Sequence, residues 1–128
     1  MNWAISVVIS DNEIFERRLE AIILYVVKKD QIEGFFINDI DATGEMGSEM
    51  TMKKNVQKER LAITEKEVLT LVSEMGQIFE LDLLLVNSFE YRFIIRDGNS
   101  LDIVSNGERL PFSILGMHND LNVNLFLE

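Results

Sequence analysis

The strongest constraint on the fold is the alternation of apolar and polar residues in the second half of the chain. Between residues 78 and 86, apolar Leu81, Leu83 and Leu85 alternate with Glu80 and Asp82. Successive side chains of a strand point to opposite faces, so this stretch predicts a strand with one buried and one polar face. Residues 89–96 repeat the pattern, with apolar side chains at every odd position up to 95. The second half of the chain therefore predicts consecutive strands of one sheet.

Turn residues separate these strands. Asp97-Gly98 and Asn106-Gly107 are both typical of type I′ hairpin turns, in which both central residues need a positive φ. They bracket a short strand at residues 101–104. Residues 121–127 alternate again and predict a last strand at an edge of the sheet. The C-terminal half is thus predicted to be an antiparallel meander.

The first half combines a strand with a long helix. The run Trp3–Ile9 predicts a strand that is buried on both faces, and Ser10 with Glu13 forms a capping-box pattern. A helix is predicted from there to Lys29, with one apolar stripe formed by Phe15, Leu19, Ile22, Ile23 and Val26. Leu24 and Tyr25 fall off this stripe. The second half of the helix is therefore expected to be buried on two sides or to contact another chain.

The middle of the chain is predicted to hold two strands and a second helix. Strands are expected at residues 32–37 and from about 56 to 63, with an acidic, glycine-containing loop at residues 39–50 between them. Thr64 and Glu67 form another capping box, and Gly76 is expected to stop the helix that follows. With the strand at 78–86, the predicted order is β-α-β-β-α-β.

That order predicts a single α+β domain over residues 1–128. The specific expectation is a ferredoxin-like half, extended by the C-terminal meander, with the helices on one face of the sheet. The rival is a strongly curved single sheet that wraps the first helix.

Charge limits the classes of partner. The formal net charge is −10, which repels phosphate backbones and favours basic partners. Residues 51–60 form a basic exception with four cations and one acid, interpreted as a solvated surface. The chain has no cysteine, and its longest apolar run, Ala21–Val27, is too short to span a membrane. Residues 3–9 do not resemble a signal peptide. We therefore expect a cytoplasmic protein.

No motif predicts catalysis, a metal or a cofactor. The seven glycines form no phosphate-binding motif, and His118 is the only histidine, so it lacks a partner for general-base or zinc chemistry. The segment that begins at Asp39 and Asp41 starts like a calcium loop but has Met50 at the twelfth position, where a bidentate Glu is required. We therefore expect a protein that is not an enzyme and that binds no metal.

Acidic side chains are the candidate binding residues. A mobile loop with acids beside methionines can dock on a basic cleft, because methionine adapts to the walls and carboxylates pair with Lys or Arg. The acids on the outward faces of the strands are expected to add charge pairs. The predicted partner-binding residues are Asp39, Asp41, Glu45, Glu49, Glu80, Asp82 and Glu90.

The chain resembles one group of proteins in its size, its acidity, its α+β pattern, and its lack of cysteine and of catalytic motifs. These are the small acidic immunity proteins that bacteria encode beside polymorphic toxins, especially those of contact-dependent growth inhibition. The resemblance implies a cytoplasmic antitoxin that binds one cognate toxin, often a nuclease, and blocks its active site. The alternative is a ferredoxin-like regulatory or ligand-binding module that acts as a homo-oligomer.

Overall fold

The computed structural model describes residues 3–8, 12–29, 31–74, 76–87, 90–97, 100–106 and 123–127. These residues form a seven-stranded antiparallel sheet and three helices, which confirms the α+β class. The elements are β1 (Trp3–Val8), α1 (Asn12–Lys29), β2 (Gly34–Ala42), α2 (Glu45–Val56), β3 (Leu61–Ile63), α3 (Glu65–Ser73), β4 (Ile78–Val86), β5 (Glu90–Arg96), β6 (Ser100–Ser105) and β7 (Val123–Leu127).

The sheet order is β3-β2-β4-β5-β6-β1-β7. Strands β4, β5 and β6 follow one another as an antiparallel meander. The chain then returns to the N-terminal strand, since β1 pairs with β6 on one side and with β7 on the other. Strand β7 lies at one edge, as the sequence predicted.

The core lies between one face of the sheet and the helices. Ile37, Leu83 and Phe93 are direct neighbours across three strands, and all three are fully buried. The helices complete this core with the predicted stripe of α1, Met50 of α2 and the residues Val68, Leu71 and Val72 of α3. Full burial of a side chain of this size contributes about 1.5–3 kcal/mol. We call this the helix side of the sheet and the opposite face the outer face.

The predicted ferredoxin-like order is wrong in two respects. The chain contains a third helix, α2, between the second and third strands. In addition, β1 joins the C-terminal strands and is separated from β2 by three strands. The predicted β-α-β-β-α-β unit would need its first strand among the strands of the N-terminal half, so the sheet pairing excludes it here.

The predicted loop at residues 39–50 is strand and helix instead. Residues 39–42 continue β2, and α2 begins at Glu45 after Gly44, which has a φ of 88° and supplies no side-chain cap. The carboxylate of Glu74 takes that role, because it accepts hydrogen bonds from the backbone N–H groups of Met46 at 2.9 Å and Gly47 at 2.8 Å. A Cβ at position 44 would lie 2.5 Å from Glu74 Oε1, so glycine allows the carboxylate to reach the amides.

The third strand and the end of α3 also differ from the prediction. Val56 is the last residue of α2, and β3 holds only three residues, Leu61–Ile63. Helix α3 begins with the predicted capping box at Thr64 but ends at Ser73, before Gly76. Gly76 instead permits a close approach of two segments, since a Cβ there would lie 2.3 Å from the carbonyl oxygen of Thr43.

Several sequence predictions lie outside the described residues. They concern the Ser10 cap, His118 and the second residue of each predicted turn, Gly98 and Gly107. Asp97, the first residue of one of those turns, has the positive φ, 55°, that a type I′ turn requires. None of the described helices is long and apolar enough to cross a lipid bilayer.

Candidate functional site

Two cross-strand pairs on the adjacent strands β2 and β4 bring four of the seven predicted acidic residues together. Asp39 lies directly opposite Asp82, and Asp41 lies directly opposite Glu80. Between them, Ile40 faces Leu81, and both are buried on the helix side. Because neighbouring residues of a strand point to opposite faces, the four carboxylates lie on the outer face.

Glu90 lies on the same face of the next strand but farther along it, because it faces Val86 whereas Ile94, four residues away, faces Asp82. It precedes buried Tyr91 on β5 and is itself exposed, so it also belongs to the outer face. We call the set Asp39, Asp41, Glu80, Asp82 and Glu90 the acidic face.

Asp82 is the most constrained member of the acidic face. Arg92 Nε donates to Asp82 Oδ1 at 2.8 Å, and a second guanidinium nitrogen pairs with Oδ2. Asn38 Nδ2 also donates to Oδ1, at 3.3 Å. Burial alone would raise the pKa of Asp82, but the hydrogen bonds from Arg92 and Asn38 and the charges of Arg92 and Arg96 outweigh it, so the pKa lies below its ordinary value. The same hydrogen bond raises the pKa of Arg92. Asp82 is therefore ionised and fixed in orientation.

The other acids are held less firmly. Asp39 Oδ1 accepts from the backbone N–H of Ile40 at 3.0 Å, and Glu80 Oε1 accepts from that of Asp97 at 3.4 Å. Asp39, Asp41 and Glu90 are exposed, and Glu80 is half-buried. Their charges are therefore directed to solvent and to any molecule that approaches the outer face.

Three apolar residues, Phe36, Leu84 and Val104, lie in one cross-strand row of the outer face that Arg92 interrupts, and we call these three the apolar row. Phe36 lies opposite Leu84, Leu84 opposite Arg92, and Arg92 opposite Val104. Leu84 is 8% exposed and Val104 is 37% exposed. The guanidinium of Arg60 lies 4.1 Å from the centre of the Phe36 ring and covers the end of the row. Because Leu84 is buried and Arg60 covers Phe36, Val104 supplies most of the apolar contact area that this row leaves accessible.

Glu45 and Glu49 do not belong to the acidic face. Both lie on α2, and Glu49 forms an exposed ion pair with Lys53 at 3.1 Å. Met50, expected beside the acids on a mobile loop, is 1% exposed and packs in the core, while Met46 is half-buried against it. The prediction of a loop that adapts through its methionines is therefore wrong.

The basic segment 51–60 is largely solvent-exposed, as predicted, since only Thr51 and Lys54 are half-buried, but its cations also make local contacts. Lys54 Nζ donates to the carbonyl oxygens of Gln57 at 3.1 Å and Lys58 at 3.3 Å, beyond the C-terminus of α2. Lys53 pairs with Glu49, and Arg60 stacks on Phe36. Of these contacts, only that of Arg60 with Phe36 reaches the outer face.

A second candidate site is an open groove between α1 and α3. It has a volume of about 350 Å³, and Leu24 of α1 and Leu69 of α3 line it together with Glu20 and Lys66. Leu24, which lies off the main stripe of α1, is half-buried in this groove. The volume is at the lower end of the range for small-molecule pockets.

The described residues hold no group of three or more His, Cys, Asp or Glu side chains arranged to bind a metal ion. Comparison with protein-family models, with curated proteins and with solved structures gave no match.

Proposed function

We propose that this chain is a non-enzymatic binding protein that docks its acidic face on a basic protein surface. The observation that supports this most is the convergence of five of the seven predicted acids on the outer face of the sheet, opposite the helices. Val104 of the apolar row adds apolar contact area on the same face.

The partner class follows from charge. A net charge of −10 attracts a basic protein over several ångströms and raises the rate of encounter. A nuclease that must hold phosphate has a positive active site, so an acidic face can occupy the same field as the substrate. We infer that the partner is a basic toxin domain of nuclease type and that binding blocks its active site.

The resemblance to small acidic immunity proteins of contact-dependent growth inhibition supports the same proposal. In that role the chain acts as an antitoxin in the cytoplasm of the cell that makes the toxin. The interface then contains the constrained Asp82–Arg92 pair, and Asp39, Asp41 and Glu80 pair with cations of the toxin.

The test is a titration of the basic toxin domain encoded beside this chain, measured by isothermal calorimetry at low and moderate salt. The triple variant Asp39→Asn/Asp41→Asn/Glu80→Gln removes three charges from the acidic face. Because a close interfacial charge pair contributes at least about 1.5 kcal/mol, we expect the affinity to fall by at least about 100-fold.

The matched control removes three exposed acids from other parts of the surface, Glu33→Gln/Glu59→Gln/Glu65→Gln. It has the same net charge as the first variant, so it isolates local pairing from the overall field. We expect the affinity of this control variant to fall by less than about tenfold. Its association rate should depend on salt less steeply than that of the wild type. Equal losses in the two variants, or no binding at low salt, would contradict the proposal.

The alternative function as a ligand-binding module is favoured by the groove between α1 and α3. A small molecule bound there would raise the melting temperature of the protein, and Leu69→Trp would abolish that shift by filling the groove. If no compound of a metabolite library changes the melting temperature, the ligand-binding function is contradicted.

A further inference from the structure

Helix α2 carries apolar residues on the side that faces away from the core. Met52 is 70% exposed and Val56 is 88% exposed, the two highest values among the large apolar side chains of the described residues. They are four residues apart and therefore lie one turn apart on the same side. The inner side of the helix is already satisfied, because Gly47 and Met50 are buried. Helix α2 thus has more apolar surface than the core formed by the described residues uses.

Charged residues surround these two side chains in a definite order. Six exposed residues of α2 follow one stripe at helical spacing, which we call the α2 outer stripe: Glu45, Ser48, Glu49, Met52, Lys53 and Val56. Acids occupy its first half and a cation its second half. Glu49 and Lys53 form an ion pair at 3.1 Å with side chains that are 50% and 49% exposed, so both retain area for a further partner.

We propose that the α2 outer stripe binds the same stripe of a second copy of this chain, with the two helices antiparallel about a two-fold axis. With the axis beside Met52, this residue meets its counterpart, and Val56 lies over Ser48 of the other copy. Glu49 and the second copy's Lys53 are then two positions, about 3 Å, apart along the helix axis, within reach of their long side chains, so each intramolecular ion pair can join a ring of four alternating charges. A two-fold contact requires such self-complementarity, and antiparallel helices also align their dipoles favourably.

Other occupants fit this stripe less well. A basic partner would meet Lys53, and an acidic partner would meet Glu45 and Glu49. Only a partner with the opposite order of charges matches both halves, and an antiparallel copy provides that order. The proposal is independent of the acidic face, which lies on the other side of the sheet from the core that holds α2.

The size of the contact predicts a weak dimer. A helix of 12 residues is about 18 Å long, and a single helix from each copy buries less than the roughly 800 Å² per partner of a standard interface. We therefore expect a dissociation constant on the order of 100 µM. Dimers then form at high concentration and leave the acidic face accessible.

Sedimentation equilibrium of the full chain between about 10 µM and 1 mM tests the proposal, and the wild type is expected to shift from monomer to dimer over this range. Met52→Asp should raise the dissociation constant at least about tenfold, because it places two carboxylates at the axis. Val8→Asp is the matched control, since Val8 is 61% exposed on β1, outside the stripe, and this variant should dimerise like the wild type. Circular dichroism melting checks that each variant is folded.

Exchanging the charges at Glu49 and Lys53 tests the antiparallel arrangement of the two helices. Glu49→Lys and Lys53→Glu each bring like charges together across the axis and should each weaken the dimer at least about threefold. The double variant restores the alternating order and should recover the wild-type constant to within about twofold. A monomer at 1 mM, equal effects of Met52→Asp and Val8→Asp, or a double variant no better than the single ones would overturn the proposal.

Discussion

Replacing Glu74 by alanine removes the cap of α2 and should destabilise the protein measurably. Glu74 accepts two backbone hydrogen bonds, at 2.9 and 2.8 Å, from the first turn of a helix whose N-cap residue, Gly44, has no side chain to offer. Loss of a side-chain cap costs about 0.5–2 kcal/mol, and loss of a negative charge at a helix N-terminus costs a further 0.3–1 kcal/mol. We expect the free energy of unfolding to fall by about 2 kcal/mol.

That loss is large enough to measure. For a chain of this length 1 kcal/mol corresponds to roughly 3–4 °C, so the melting temperature should fall by about 7 °C. Glu74→Gln keeps one acceptor oxygen but loses the charge, and it should cost about half as much. Urea unfolding and amide hydrogen exchange provide the assay, with the largest loss of protection expected in α2.

Glu59→Ala is the control, because Glu59 is exposed between α2 and β3 and an exposed substitution usually changes stability by less than about 0.5 kcal/mol. If Glu74→Ala and Glu59→Ala give the same free energy of unfolding within about 0.5 kcal/mol, the capping role of Glu74 is refuted.

Three further substitutions test other contacts. Gly76→Ala places a Cβ 2.3 Å from the carbonyl oxygen of Thr43, so we expect a loss of about 1–3 kcal/mol in urea unfolding, whereas a neutral result would show that the two segments can separate. Thr64→Ala breaks the capping box of α3 and should cost about 1 kcal/mol; an unchanged melting curve would contradict this. Asp82 has a pKa below its ordinary value of 3.8, so its ionised form stabilises the fold above that pH, and the contribution disappears as the pH falls through the folded-state pKa. Asp82→Asn should therefore be less stable than the wild type at pH 7, and the difference should shrink below about pH 4 in acid titrations followed by circular dichroism; a difference that does not change with pH would contradict the pairing with Arg92.

The sequence predicted the meander of β4, β5 and β6 and the helices α1 and α3 because the signals for these elements are local. In β4 and β5 the side chains alternate over a full strand, and Leu83 and Phe93 are buried as that alternation requires. The stripe of α1 likewise needs only a period of 3.6 residues. These features depend on residues that are close in sequence, so they can be predicted without knowing the fold.

Helix α2 was missed for two physical reasons. Its apolar residues lie on both sides, with Met50 in the core and Met52 and Val56 in solvent, so no single stripe marks it. Its cap is also not local, since Glu74 lies 28 residues beyond Met46, the first amide that it satisfies. Nothing in the segment itself signals where the helix begins.

The candidate site was predicted in part. The alternation around Leu81 placed Glu80 and Asp82 on an outward face, and the structure agrees. The sequence selected Asp39 and Asp41 for their charge but assigned them to a loop, and only the register of β2 against β4 places them beside the other two. Strand pairing between distant segments is set by the whole sheet, which explains this failure.

Carboxyl footprinting of the complex with the basic toxin domain tests the central proposal most directly. A carbodiimide and an amine label accessible carboxylates, and mass spectrometry compares each residue in the free and bound protein. We predict that binding protects Asp39, Asp41, Glu80 and Glu90 and leaves Glu33 and Glu65 labelled as in the free protein. Protection of Glu33 and Glu65 with no change at the acidic face would contradict the proposed docking surface.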